Sequence, residues 1–265
     1  MDIVAINLDS QPQRWAETQR RFAAAGLAPE RLEAVDGAAP GVVPEALGYD
    51  AALNRRQHHM PLRPGEIGCY ASHLAAWRRL LASGARSLAV FEDDVEPDPG
   101  LAELLRAIDR MPMRWDMVKL YGREHERVAW RRPLTAGTEL IGYRRAPSHT
   151  CAYVVSRQGA QKLLASRSRF GRPIDLDLRR WWENDLDLFG VQPYPVRRAA
   201  LSRSSTIDEG RRGCTSVAMR LHKIGLQLQY ALSNLHHIAA APPSERSRAA
   251  ADGLPRHRPS HGDAA

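Results

Sequence analysis

Short apolar runs alternate along this chain with longer stretches in which apolar positions return every three or four residues. These are the patterns of buried strands and amphipathic helices. Ile3 to Leu8 reads as a first strand. Asp9 or Ser10 can cap the helix that follows, with Pro12 in its first turn and Gly26 at its end. "RLEAVDG" (31–37) reads as a second strand closing in a turn, and residues 38–64, rich in Pro, Gly, Ala and Arg, as a long loop with one helical turn. The clearest helix starts at Pro64. Ile67, Ala71, Leu74, Trp77 and Leu81 share one face, and Gly84 stops it. The strand "SLAVF", a helix over 99–110, the strand "WDMVKL" and a hairpin around "TAGTELIGYRR" follow. Residues 121–147, dense in arginine and with little periodicity, read as a loop that contains this hairpin. "TCAYVVS" is a strand that feeds a helix capped by Ser156, and 172–196 mixes helix with a short strand.

Strands alternating with helices predict an α/β sandwich built on a mostly parallel sheet. The last periodic segment is helical, and Val217, Leu221, Ile224, Leu228, Leu232 and Leu235 fall on one face of it. That face can pack on the body, pair with a second copy or lie on a membrane surface. The expected organisation is a catalytic-type domain over 1–210, a basic helical extension over 211–241 and a disordered tail over 242–265.

Composition narrows the class. With 265 residues, 43% hydrophobic and 26% charged, the chain folds as a globular protein. No run is long enough for a membrane span. The opening "MDIVAINLD" lacks the features of a secretory signal. Three cysteines, Cys69, Cys151 and Cys214, show no CxxC spacing, so a disulfide framework is not expected and a reducing, cytoplasmic setting is. The net charge is +8, of which residues 211–265 hold +5 (eight Lys/Arg, three Asp/Glu). A basic tail on a nearly balanced body suggests an anionic surface.

One feature carries chemistry. The buried run Leu88–Phe91 ends in Glu92, Asp93 and Asp94. Adjacent carboxylates repel unless a cation neutralises them. In α/β sheets, ligands bind beyond the carboxyl ends of strands, which is where these acids fall. A Glu-x-Asp spacing turns the first and third side chains to one side of an extended segment. Glu92 and Asp94 can therefore meet a hard cation such as Mg²⁺ or Mn²⁺, leaving Asp93 turned toward a sugar or the protein.

"INLDSQPQRW" (6–15), "AVDG" (34–37), "GEIGCYASHLAAW" (65–77), "VFEDDV" (90–95), "DMVKL" (116–120), "CAYVVSRQGAQKLL" (151–164) and "RPID" (172–175) occur in this order. Together they resemble glycosyltransferase family 25, the lipopolysaccharide and lipooligosaccharide galactosyltransferase-like group, over about residues 2–207. The resemblance implies a GT-A-like, Rossmann-type α/β/α fold. It also implies a UDP-sugar donor, commonly UDP-galactose, a divalent cation and inverting transfer to a glycan or lipid-linked oligosaccharide hydroxyl. On this sequence it puts Asn7, Leu8 and Arg14 at the donor pocket, Asp36 at the uridine, and Glu66, Ser72 and His73 along the site. Glu92 and Asp94 would hold metal, Asp93 would contact the donor, and "SSTI" (204–207) would match a closing segment. Transfer needs a base for the acceptor proton. Asp175 is the first candidate and Asp177 the second, ahead of Glu183 and Asp185. A lipid-linked acceptor would bring the protein to the inner face of a membrane.

Other readings predict different residues. A nucleic-acid binder would interleave aromatic and basic residues, and the basic charge here sits mostly in the tail. A metal phosphohydrolase would bring histidines and acids to several strand ends. A non-catalytic relative would have lost part of the acid cluster. Among single residues, His149 precedes a strand and is a site candidate, while His58 and His59 are weaker ones. Cys69 and Cys151 read as small core residues. One of Trp181 and Trp182 reads as core, and the other is free to stack on a sugar.

Overall fold

The computed structural model describes residues 1–123, 126–199 and 216–240. The chain runs β1 (Asp2–Asn7), α1 (Pro12–Ala24), β2 (Glu30–Glu33), a 3-10 turn (Pro44–Leu47), α2 (Ala51–Gln57), α3 (Pro64–Ala82), β3 (Ser87–Glu92), β4 (Val95–Pro97) and α4 (Leu101–Asp109). It continues through β5 (Met117–Lys119), β6 (Val128–Thr135), β7 (Thr138–Tyr143), β8 (Ala152–Ser156), α5 (Arg157–Ser166) and α6 (Ile174–Leu178). A second 3-10 turn (Trp181–Glu183), β9 (Leu188–Gln192), β10 (Val196–Arg198) and α7 (Val217–Ala240) complete it.

Eight strands form one sheet in the order β2-β1-β3-β8-β5-β9-β7-β6. β2, β1, β3, β5, β9 and β6 point the same way, and β8 and β7 run against them. Both faces are covered, so the central strands alternate between two cores. Leu88 and Val90 of β3 join Tyr153 and Val155 of β8 under α3 and α5. Ala89 and Phe91 join Ala152 and Val154 on the α1 and α4 side. A strand buried on both faces carries the continuous apolar run seen in the sequence. β4 and β10 pair separately as a short antiparallel ribbon, which brings residues 196–198 beside the acid cluster.

Three expectations change. The arginine-dense stretch is strand β6 rather than loop. It is one of the sheet's two edge strands and carries Pro133, a combination edge strands tolerate and apolar periodicity does not reveal. The 38–64 segment holds α2 as well as the helical turn, and the Asp50 side chain caps α2 by accepting from the Ala52 and Leu53 amides. The leucine-rich face of α7 does not pack on the body. Leu221, Leu228 and Leu232 are 63%, 59% and 68% exposed. The helix docks by its other face, where Tyr230 and Asn234 are buried. The Tyr230 ring lies under the Arg179 guanidinium at 4.5 Å, and Asn234 donates to the Arg144 carbonyl at 2.9 Å. Trp182 stacks on His237 of α7 at 5.4 Å and 11°, while Trp181 packs against the core, so the stacking ring is covered from within the chain. The expected boundary at 210/211, the tail over 242–265, Cys214 and "SSTI" lie outside the described residues.

Candidate active site

Three strand ends meet at one edge of the sheet. β3 ends at Glu92 and β5 at Lys119. β8 begins there because it runs the other way, with Thr150 and Cys151 leading in. Phe91 pairs with Ala152 and Lys119 with Tyr153. The Glu92 amide donates to the Cys151 carbonyl at 2.8 Å, and the Leu120 amide to that of Ala152 at 3.0 Å. Beyond these ends lies a cavity of about 250 Å³. Glu66 and Cys69 of α3, Glu92, the 148–151 segment, Pro173 to Asp175 at the start of α6, and Arg198 of β10 wall it.

Each carboxylate of the acid cluster has its own partners. Asp93 turns into the protein, where Asn7 Nδ2 donates to it at 2.7 Å and Arg14 forms a salt bridge. Thr18 Oγ1 donates to the Asp93 carbonyl at 3.0 Å, tying α1 to the same turn. Asp94 pairs with Arg198 through Oδ2. Glu92 accepts from Thr150 Oγ1 at 3.2 Å and lies 3.9 Å from His73 Nε2, an ion-pair distance rather than a hydrogen bond. Burial alone would raise the Glu92 carboxyl. His73, Arg198 and Thr150 outweigh it and hold Glu92 below the ordinary value. Asp94 goes the other way, raised by burial and by the Glu92 charge against the pull of Arg198.

Whether these acids suit a cation can be read from their unused atoms. Asp94 Oδ1 is buried with no hydrogen-bond partner among the described residues. Glu92 faces the cavity, and its negative charge adds to burial in making the Asp94 carboxyl harder to ionise. A buried, unsatisfied carboxylate oxygen next to a second carboxylate is a donor set that a hard divalent cation fits.

Across the cavity, Asp175 sits in the first turn of α6, where Pro173 sets the entry. Its Oδ1 accepts from the Leu176 amide at 2.8 Å. Burial pushes the carboxyl up to about 6, although that amide and Lys119 pull the other way. Lys119 is fully buried, donates to the His149 carbonyl, and is pulled down to about 8 by burial. His149 lines the cavity and is also lowered, first by burial and then by Lys119 and neighbouring arginines.

The remaining sequence candidates divide by position. Glu66 walls the cavity and also caps α3, accepting from the Arg63 amide at 2.9 Å. His73 is buried behind Glu92, its Nδ1 2.8 Å from the Tyr153 hydroxyl. Asn7, Leu8 and Arg14 are not among the cavity walls. Arg31 bonds Asn7 Oδ1 and the Leu8 carbonyl, fixing the β1 exit. Asp36 is exposed in a turn, accepting from the Ala38 amide at 2.9 Å. Ser72 is buried and satisfied, accepting from the Val35 amide at 2.8 Å and donating to the Gly68 carbonyl at 2.7 Å. It holds the "AVDG" turn on α3 at a contact so close that a methyl on Gly37 or Gly68 would overlap backbone. Asp177 belongs to another constellation. It is 2% exposed and held by Tyr70, Arg172 and Arg167, so it is a structural anion and no free base. Cys69 and Cys151 are cavity walls as well as packing residues.

Sequence reasoning passed over Arg198, Lys119 and Thr150. A lysine closing an apolar strand ("DMVKL") is a usable signal, because a buried cation needs a nearby anion. Arg198 has no such local signal.

Residues 1–177 match the family model described as glycosyltransferase family 25 (LPS biosynthesis protein). The chain belongs to glycosyltransferase family 25. Among curated relatives, a glycosyltransferase 25 family member of Drosophila pseudoobscura pseudoobscura is 30% identical over 171 residues, 62% of this chain and 27% of the relative. Human procollagen galactosyltransferase 2 is 29% identical over 185 residues, 66% of this chain and 29% of the relative. A rat protein named probable inactive glycosyltransferase 25 family member 3 is 29% identical over 217 residues, 72% of this chain and 37% of the relative. The chain thus spans well under half the length of these family 25 relatives. The family match ends inside α6, two residues past Asp175, so it takes in the acid cluster and Asp175 but not Arg198.

Proposed function

We propose that this family 25 chain transfers a hexose, with galactose from UDP-galactose as first candidate, to a hydroxyl of a glycan such as a lipopolysaccharide core, with inversion. The observation that carries the reading is Glu92, at the end of β3, facing Asp175 across one cavity, with Asp94 two residues on keeping a buried carboxylate oxygen that has no hydrogen-bond partner among the described residues. Glu92 and Asp94 would hold Mn²⁺ or Mg²⁺, which when bound supplies positive charge to the leaving diphosphate. Arg198 adds a fixed positive charge at the same wall. Asp175 takes the acceptor proton. A carboxylate with a value of about 6 is mostly ionised at neutral pH yet more basic than an ordinary aspartate, which suits a general base. Lys119, behind the cavity, favours the ionised form of Asp175.

The name of the rat relative supports a competing reading, a transferase-like domain that binds but does not turn over. Calorimetry with UDP, with and without Mn²⁺, followed by a UDP-sugar transfer screen, separates the two. The expected result is Mn²⁺-dependent UDP binding that Asp94→Ala abolishes without loss of fold, together with transfer. UDP binding with no turnover of any UDP-sugar would favour the inactive reading. Metal-independent binding, unchanged in Asp94→Ala, would remove the metal from the proposal.

A lipid-linked acceptor would need the protein at a membrane surface. The exposed leucines of α7, a helix without a single acidic residue, and the positive net charge of the chain support that contact.

A further inference from the structure

Behind the acid cluster lies a second set of ligands, which shares Glu92 with the transfer reading and adds two side chains that reading does not use. Cys69 and His73 are four residues apart on α3, so they share one face of the helix. That face meets the end of β3 at Glu92. One ligand atom from each, the Cys69 Sγ, a His73 ring nitrogen and a Glu92 carboxylate oxygen, lies within 4.8 Å of the others. The imidazole is fixed in place. Nδ1 is 2.8 Å from the Tyr153 hydroxyl, and that hydroxyl accepts from Trp77 Nε1 at 3.0 Å. This leaves Nε2 facing Glu92. The His73 side chain is 1% exposed, and Nε2 has no hydrogen-bond partner among the described residues. A buried imidazole nitrogen with no hydrogen bond, aimed at a carboxylate and grouped with a thiol, is an unsatisfied ligand rather than packing.

We propose that Cys69, His73 and Glu92 form a three-ligand site for a borderline divalent cation of the Zn²⁺ type. A thiol, an imidazole and a carboxylate are the ligand types Zn²⁺ takes, whereas Mg²⁺ prefers oxygen alone. The support of the imidazole by Tyr153 and Trp77 is the outer-shell arrangement that orients a metal-binding histidine. Tetrahedral Zn²⁺ sites place their ligand atoms roughly 3.3–3.8 Å apart. The His73 Nε2–Glu92 pair is already at 3.9 Å, and no pair is more than 4.8 Å apart. Cys69 and Glu92 both wall the cavity, which gives the ion an entry path and leaves the fourth position open to it. Because Glu92 belongs to both sets, Zn²⁺ here and a hard cation at Glu92 and Asp94 exclude one another. The proposal stands apart from the transfer reading, since the site would exist even if no nucleotide sugar bound.

The test is a Co²⁺ titration of the reduced full chain, read by absorption, with circular dichroism as a control for fold. A thiolate-bound tetrahedral Co²⁺ gives a near-ultraviolet charge-transfer band and intense visible bands. The expected result is one such site, displaced by Zn²⁺, kept in Cys151→Ser and Cys214→Ser, and lost in a folded Cys69→Ser. Zn²⁺ affinity should fall at least about 100-fold in Cys69→Ser, the upper end of what losing even an outer-shell partner costs. Absence of the charge-transfer band at saturation would overturn the proposal. So would a band that survives Cys69→Ser or disappears with Cys151 or Cys214 instead. Should Cys69→Ser not fold, Glu92→Gln replaces it, with loss of the visible bands expected and their retention overturning the site.

Discussion

Asp175 is the residue on which a pH profile should turn. Its carboxyl is raised to about 6 by burial, so as a base it is inactive when protonated. Transfer should therefore rise with pH through about 6 and level off above, and Asp175→Asn should lose about 10²–10⁴ of the rate while keeping UDP affinity. Unchanged transfer in the variant would remove Asp175 from the role. The same shift makes a stability prediction of opposite sense. The folded state holds the proton more tightly than the unfolded one, so stability falls as pH rises from the unfolded value of 3.8 toward 6. Asp175→Asn should then be the more stable protein at pH 7–8, by about 3 kcal/mol, with the gain gone below pH 4; thermal melts across pH check it. At this scale the sequence was partly readable. Glu92, Asp93 and Asp94 announced themselves because three like charges after a buried run demand a reason. Arg198, which answers for Asp94, sits 104 residues away in sequence in a stretch with no periodic signal, and only the β4–β10 ribbon brings it near. Asp177 shows the reverse. It was the second candidate for the base, yet two residues along a helix turn a side chain by roughly 200°, which points it into a network of arginines.

At the scale of elements, α7 is the informative case. Its apolar periodicity identified a helix, but periodicity does not say which face meets the body. A chain with several apolar faces docks by the one that matches its neighbours, here Tyr230 under arginines and His237 on Trp182. The two faces should respond differently. Leu228→Ser should change global stability by no more than about 0.5 kcal/mol, because the side chain is already exposed. Tyr230→Ala should release the helix, seen as faster amide exchange over 217–240 with the central strands still protected. The strands and helices of the sandwich were legible for the opposite reason. β3 and β8 are covered on both sides, so each apolar position along them has a neighbour to satisfy. β6 was illegible because an outer strand is half solvated and tolerates arginine and proline.

For the whole molecule, the layered order of strands and helices followed from the sequence, while the cavity did not. Its walls come from α3, β3, the entry to β8, α6 and β10, segments whose meeting depends on the order of strands in the sheet. Membrane attachment belongs to this scale too. Among the described residues, no helix is long and apolar enough to cross a bilayer. Surface attachment through α7 predicts that the full chain floats with anionic vesicles and that Leu221→Glu with Leu228→Glu does not; equal flotation of both would sink the idea.

The position of β9 has a further consequence. It lies inside the sheet, between β5 and β7, although it begins eleven residues after the family match ends at 177. A fragment cut at that boundary would keep every residue of the shared motif and lose the strand that joins two parts of the sheet. β5 and β7 would each be left with an open edge, and Asp94 without its arginine. The matched region by itself is therefore not a complete sheet.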